Sequence, residues 1–306
     1  MKKLGFGTMR LPLLDPQDEK SIDQEQVNAM ADLFLSKGFT YVDTAYAYHE
    51  GASEVACRRA FTERYDRDKF LLADKMPSFL IQSEQDYDRF FAEQLERCGV
   101  SYFDYYLLHN LGTEYYARNE RFGGFEYMQK LKADGTAKHI GFSFHDQPEL
   151  LEEILTAHPE MEFVQLQINY ADWENENVQA RRCYEIACRH QKDVIVMEPV
   201  KGGGLANLPH DAELLLRSVH PDASPASWAI RYAASLPECI TVLSGMSNLS
   251  QVEDNLSYME EFQPLTAQER AVLEQATEII HRSIAVPCPA CRYCVDDCPM
   301  HINIPE

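Results

Sequence analysis

Positive charge is what this sequence has least of. Its 306 residues carry 28 Lys and Arg against 49 Asp and Glu, a formal net charge of -21 at pH 7. Phosphate polymers are held on basic surfaces, so nucleic acid is excluded as a general partner; one local phosphate pocket is not. Long apolar stretches are missing as well. Hydrophobic residues make up 45% of the chain, yet no run approaches the ~20 residues needed to cross a bilayer. Gly5, Arg10 and Pro12 interrupt the opening MKKLGFGTMRLP too soon for a signal peptide. A cytoplasmic protein with no membrane partner is expected. Cysteine is scarce over most of the chain and then crowded, with four of the nine between residues 288 and 298. In a reducing compartment such crowding points to metal binding.

What is present is an alternation. Eight short apolar runs recur: LGFGTMRL from Leu4, FTYVDTA from Phe39, FLLADKM from Phe70, FDYYLLHN from Phe103, AKHIGFSF from Ala137, FVQLQINY from Phe163, DVIVMEPV from Asp193 and ITVLSGM from Ile240. Between them, stretches near 24–37, 53–65, 84–98, 124–134, 147–157, 177–190, 224–235 and 248–259 carry apolar residues three and four apart, as amphipathic helices do. Ser53, and Ser224 followed by Pro225, read as helix openers. Alternating strands and helices make a parallel sheet, and eight units close it into a (β/α)8 TIM barrel. An open six-stranded sheet would leave two strand signals unplaced. The length exceeds the ~250 residues of one barrel, so a barrel over residues 1–282 is expected. A further helix near 266–282 would lie across its outside, and a short cysteine-rich, ferredoxin-like tail would follow over 283–306.

Each run starts apolar and ends in residues that do chemistry: Asp43, Lys75, His109, Ser143 with His145, Gln167, Glu198 and Ser244. In a barrel those ends share one mouth, where active sites are built. Asp43, Tyr48, Lys75 and His109 together suit reduction of a carbonyl, which needs a hydride at carbon and a proton at oxygen. A phenol titrates near ~10 and needs help to act as an acid at neutral pH. Lys75 would lower the pKa of Tyr48, Asp43 would hold Lys75 charged, and His109 would donate to the carbonyl oxygen. Singly, each residue reads as well as a rim salt bridge, a surface aromatic or a satisfied histidine.

With GFGTMRLP, DTAYAY, ADK, LLHN, IGFSF, the Q-x-x-Y segment Gln167 to Tyr170 and NLSQVEDNL, the chain resembles the aldo-keto reductases over nearly the whole barrel. The resemblance implies NAD(P)H-dependent reduction of an aldehyde or ketone, with Tyr48 rather than Tyr46 as proton donor. It also implies that Ser143 and Gln167 hold the nicotinamide carboxamide, although the usual asparagine after that serine is replaced by Phe144 and then His145. Met197 stands where a stacking tyrosine is common. The loop PVKGGGL, with Gly202, Gly203 and Leu205, and the turn SGMSNLS, with Ser244, Gly245 and Ser247, are candidates for backbone binding of phosphate at a helix N-terminus. The positions that are usually basic read Gly245, Ser247 and Gln251, so NADP and NAD both stay open. Asn255 is implied as an adenine contact, and Lys201 is the nearby cation that the sequence offers.

The last motif is C-x2-C-x2-C-x3-C-P, formed by Cys288, Cys291, Cys294 and Cys298 with Pro299. It is the ferredoxin run for a 4Fe-4S cluster, whereas zinc sites more often show two separated cysteine pairs. It resembles the tail of an aldo-keto reductase subgroup with ferredoxin-like C-termini, in which a second cysteine run commonly follows. Here Cys298 either closes a single cluster or belongs to an incomplete site. Besides a carbonyl reductase acting on a small-molecule substrate, two readings stand: an iron-sulfur electron-transfer or redox-sensing protein with a redox partner, and a nucleotide-binding regulatory subunit. The aromatic residues Tyr115, Tyr116 and Trp173 are candidate pocket walls.

Overall fold

The computed structural model describes residues 2–283. The cysteine run and the tail assigned to 283–306 therefore lie outside the described residues, apart from Ser283 itself. Eight parallel strands form a closed barrel in chain order: β1 Leu4–Gly7, β2 Tyr41–Asp43, β3 Leu71–Met76, β4 Phe103–Leu111, β5 Ala137–Phe144, β6 Phe163–Gln167, β7 Asp193–Met197 and β8 Cys239–Ser244. The helices are α1 Gln24–Ser36, α2 Ser53–Cys57, α3 Gln85–Cys98, α4 Thr113–Phe122, α5 Gly124–Asp134, α6 Pro148–Ala157, α7 Ala180–Arg189, α8 His210–Arg217, α9 Pro225–Ala234, α10 Leu249–Met259 and α11 Ala267–Ser283. None of the described helices is long and apolar enough to cross a membrane.

Side chains alternate along a strand, so every second residue points into the barrel. Tyr41, Ala73, Leu107, Phe163, Ile195 and Leu243 meet there as one apolar layer. On β5 that layer needs Gly141, because a Cβ at this position would collide with the Phe163 carbonyl oxygen. Two residues further along, the same strands present Asp43, Lys75, His109, Ser143, Gln165 and Met197. The apolar layer closes the barrel below, and the layer above it does chemistry. The other strand face packs on the helices through residues such as Phe6, Val42, Tyr106, Val164 and Val196, each large side chain contributing roughly 1.5–3 kcal/mol by burial.

Several elements differ from the expectation. The helix expected over 53–65 is regular only to Cys57 and then widens into a looser turn over Arg58–Thr62. Ser53 does not cap it; its hydroxyl instead lies 2.7 Å from that of Thr8 and 2.9 Å from that of Thr44, tying the helix start to the ends of β1 and β2. Ser224 does cap α9, accepting the Ser227 N–H at 3.1 Å, with Pro225 in the first turn. The helices α4 and α8 were not anticipated, because each buries few apolar residues: Tyr116 on α4, and Ala212 and Leu216 on α8. Helix α11 packs outside the barrel against α8 through Leu273, Ala276 and Ile280, as expected.

Candidate active site

The ends of β2 and β3 bring Asp43 and Lys75 together beneath the barrel mouth. The Lys75 ammonium donates to Asp43 Oδ1 at 2.5 Å and to the Thr44 carbonyl at 2.7 Å, and the residue is fully buried. Asp43 Oδ2 is buried with no partner. Gln94 Nε2 donates to the Lys75 carbonyl at 3.0 Å and thereby fixes the strand from behind. Tyr48 opens a tight turn in which His49 and Glu50 take left-handed angles, which swings its ring over the barrel. There the Lys75 ammonium sits 4.8 Å from the ring centroid. The His109 ring, from β4, meets the Tyr48 ring edge-on at 6.1 Å.

Burial and charge act against each other here. Burial pushes the Tyr48 phenol above its ordinary value; Lys75 pulls it down by charge and hydrogen bonding, and Asp43 and Glu198 push it up. The net direction is upward, a correction to the expectation that Lys75 would leave it lowered. Burial would lower Lys75, but Asp43 and Tyr48 hold it above its usual value. Burial raises Asp43 and Lys75 opposes that rise. Burial, then Lys75 and His145, hold His109 well below the usual imidazole range, and burial pushes His145 down to about 4. Both imidazoles are neutral at physiological pH.

These groups line one cavity of about 820 Å³. Its walls include Asp43, Tyr48, His109, Ser143, Gln167, Met197, Gly202, Gly203, Ser244, Gly245, Ser247, Gln251 and Asn255. Lys75 lies beneath it. Leu205 lies outside it, packed with Trp228 and Leu216 in the core beside α8. Gln167 Nε2 and Gln165 Oε1 are buried without partners, an unpaired donor and an unpaired acceptor of the kind that match a carboxamide. The Ser143 hydroxyl accepts the Asn110 N–H at 2.7 Å and keeps its own proton to donate. The amide of Asn255 is engaged internally, donating to Ser244 Oγ at 2.8 Å and accepting from the Tyr258 hydroxyl at 2.5 Å.

The loop after β7 takes left-handed angles at Glu198, Lys201, Gly202 and Gly203. It turns Lys201 inward to an ion pair with Asp172, so the cation expected beside the nucleotide site is absent from the cavity wall. Arg10 lines the cavity instead, 3.8 Å from the Glu198 carboxylate, which also accepts the Gly202 N–H at 2.7 Å.

The profile of the Aldo/keto reductase family matches residues 3–278. The chain belongs to the aldo/keto reductase family. It is 30% identical over 183 residues to a "Probable aldo-keto reductase 1" of Glycine max, a match covering 56% of this chain and 49% of that one. The chain thus spans about half the length of that curated relative. Among solved structures it is similar to the holo form of aldo-keto reductase AKR11C1 from Bacillus halodurans, with a TM-score of 0.71 and 26% identity over 90% of this chain and 91% of that one. It shares its fold with an aldo/keto reductase from Klebsiella pneumoniae in complex with NADP and acetate, with a TM-score of 0.71 and 20% identity over 89% of this chain and 90% of that one.

Gln165, Arg10, Phe79 and Asp254 are among the cavity-wall residues that the sequence did not single out. Gln165 carries a usable signal, since it precedes Gln167 by two on the same strand and must share its face. Phe79 packs its ring 6.1 Å from that of His109; the loop carrying it has no periodic signal. The expected walls lie elsewhere. Trp173 packs on Tyr184 and Tyr232, Tyr116 is core, and Tyr115 reaches the cavity only through Phe79, at 6.5 Å.

Proposed function

We propose that this aldo/keto reductase reduces an aldehyde or ketone to an alcohol, with a nicotinamide dinucleotide as hydride source and Tyr48 as proton donor. The observation that carries the reading is the buried Lys75–Asp43 pair beneath Tyr48, in a cavity that also presents His109. When bound, the dinucleotide supplies the hydride. Gln165, Gln167 and Ser143 would hold its carboxamide and so fix which ring face looks toward Tyr48. The same class of cofactor was found in the K. pneumoniae structure.

The remaining work belongs to the chain. Tyr48 donates its phenolic proton to the carbonyl oxygen as negative charge develops there. Its raised pKa keeps the phenol protonated at neutral pH, while the ammonium beneath stabilises the phenolate left behind. Asp43 helps keep that ammonium charged against burial, which by itself lowers the lysine's pKa. His109, neutral and edge-on to Tyr48, donates a second hydrogen bond to the same oxygen and orients the carbonyl. Nucleotide oxidation with a panel of aldehydes and ketones, in the wild type and in Tyr48→Phe, tests this; full activity in the variant would refute the role of Tyr48.

For the rest of the chain we propose a division into the barrel of residues 1–282 and a segment 283–306 that binds a 4Fe-4S cluster through Cys288, Cys291, Cys294 and Cys298, on the strength of their spacing. Nucleotide binding without turnover of any carbonyl would favour an electron-transfer role with a redox partner.

A further inference from the structure

Behind β3, on the side away from the cavity, lies a buried acidic group that the chemistry above does not use. Lys75 looks into the barrel, so its neighbour Asp74 looks outward, toward α2 and α3. There a carboxylate oxygen of Glu54, one of Asp74 and the Cys98 sulfur lie within 4.8 Å of one another, all three residues buried. Asp74 Oδ1 accepts the Lys75 N–H at 2.8 Å, and Asp74 Oδ2 accepts from the Cys98 thiol at 3.7 Å. Gln94, whose Oε1 accepts the Tyr106 hydroxyl at 2.5 Å, donates to the Lys75 carbonyl. Asp74 and Gln94 thus hold the backbone of Lys75 on both sides from outside the barrel.

Charge does not balance there. Arg97 Nη1 donates to Glu54 Oε2 at 3.0 Å, but the same guanidinium also pairs with Glu93. The Lys75 ammonium is paired with Asp43 across the strand. Burial pushes the Cys57 thiol up to about 12 and holds Cys98 and Tyr106 well above their ordinary values, so all three are neutral. Two carboxylates brought together out of water beside one shared cation do not both ionise. Glu54 has the guanidinium and carries the charge, and its Oε1 is buried with no donor. A proton on Asp74 Oδ2 supplies that donor. Burial and then Glu54 hold Asp74 well above its ordinary value, in agreement.

We propose that Glu54 and Asp74 share one proton at neutral pH, and that the neutral Asp74 is a positioning residue that holds the Lys75 peptide and so the ammonium beneath Tyr48. Its effect on turnover rests on the reductase reading above; the proton itself does not. Losing that proton sets a second charge behind β3 with no cation to meet it, so the two carboxylates separate and the Lys75 peptide shifts. Turnover is held while the pair keeps its proton and falls as pH rises through the pair's raised value.

Two readouts on the full chain test this. In infrared difference spectra of wild type against Asp74→Asn at pH 7, the wild type is expected to show the carbonyl stretch of a protonated carboxyl that the variant lacks. Absence of that band overturns the shared proton, whatever the turnover. The second readout is kcat against pH. Asn at this position still accepts the Lys75 N–H and donates permanently to Glu54, so Asp74→Asn should match the wild type within about twofold at pH 7 and lose activity at least about one pH unit higher. Asp74→Ala keeps neither contact and should lower kcat by about ten- to a hundredfold, with the KM for nucleotide unchanged. Alkaline losses at the same pH in wild type and Asp74→Asn would assign that limb to Tyr48 and overturn the positioning role, as would full kcat in Asp74→Ala. Turnover of no carbonyl by the wild type overturns the reductase reading and the positioning role with it, while the infrared band still decides the proton.

Discussion

Replacing Lys75 by Met removes the ammonium from a buried pair whose two side chains are 0% and 3% exposed. What remains is a buried Asp43 carboxylate, one of whose oxygens already lacks a partner, and a Thr44 carbonyl that has lost its donor. Breaking a buried pair from one side costs about 3–5 kcal/mol. Asp43 limits its share of that cost by taking up a proton. At about 1.36 kcal/mol per pH unit above an unfolded pKa near 3.9, its neutralisation costs about 4 kcal/mol at pH 7 and about 1.5 kcal/mol at pH 5. The sign follows. A carboxyl whose folded pKa is raised holds a proton that the unfolded chain releases, so the variant loses stability as pH rises from about 4 through that raised value. Urea unfolding of Lys75→Met and the wild type between pH 5 and 7.5 is expected to show a deficit growing with pH by roughly 1.4 kcal/mol per unit. The double variant Lys75→Met/Asp43→Asn should recover most of the stability and none of the turnover. A deficit independent of pH, or below about 1 kcal/mol at pH 7, would refute the reasoning.

The other expectations are briefer. Tyr48→Phe should lower kcat by about a hundred- to ten-thousandfold with nucleotide affinity unchanged; loss of affinity in step with kcat would make the residue a binding group. Because burial and Lys75 hold His109 far down and burial brings His145 to about 4, the profile of kcat/KM should show no histidine step between pH 6 and 8, and a step near 6.5 would contradict the neutral imidazoles. Asp74 is raised well above its ordinary value by burial and then by Glu54. Asp74→Asn should therefore gain stability relative to the wild type as pH rises, and unfolding curves whose difference is flat with pH would show that this carboxyl is ionised. The protein isolated without oxygen should contain iron and acid-labile sulfide in equal amounts, lost in Cys291→Ser; zinc in their place would contradict the proposed cluster.

What could be read in advance follows from periodicity. A strand has a period of two, so once the eight apolar runs are placed, Asp43, Lys75 and His109 must look into the barrel two residues beyond its apolar layer, and they do. The same rule reaches Gln165, which a search confined to the last residue of each run passes over. Loops obey no such rule. The left-handed angles at Glu198 and Lys201 turn Lys201 away and leave Arg10 as the cavity's guanidinium, an exchange that no local pattern announces. Nor does a sequence show how burial competes with charge. Lys75 beside Tyr48 suggests a lowered phenol, whereas desolvation reverses the direction.

The most direct test of carbonyl reduction follows the hydrogen itself. A nicotinamide dinucleotide deuterated at the reactive carbon is incubated with an aldehyde and the alcohol product is weighed by mass spectrometry, for the wild type and Tyr48→Phe. Deuterium on the carbinol carbon with the wild type, and little or no product with the variant, is the expected result; oxidation of the nucleotide without deuterium in the alcohol, or equal product from both proteins, would contradict it.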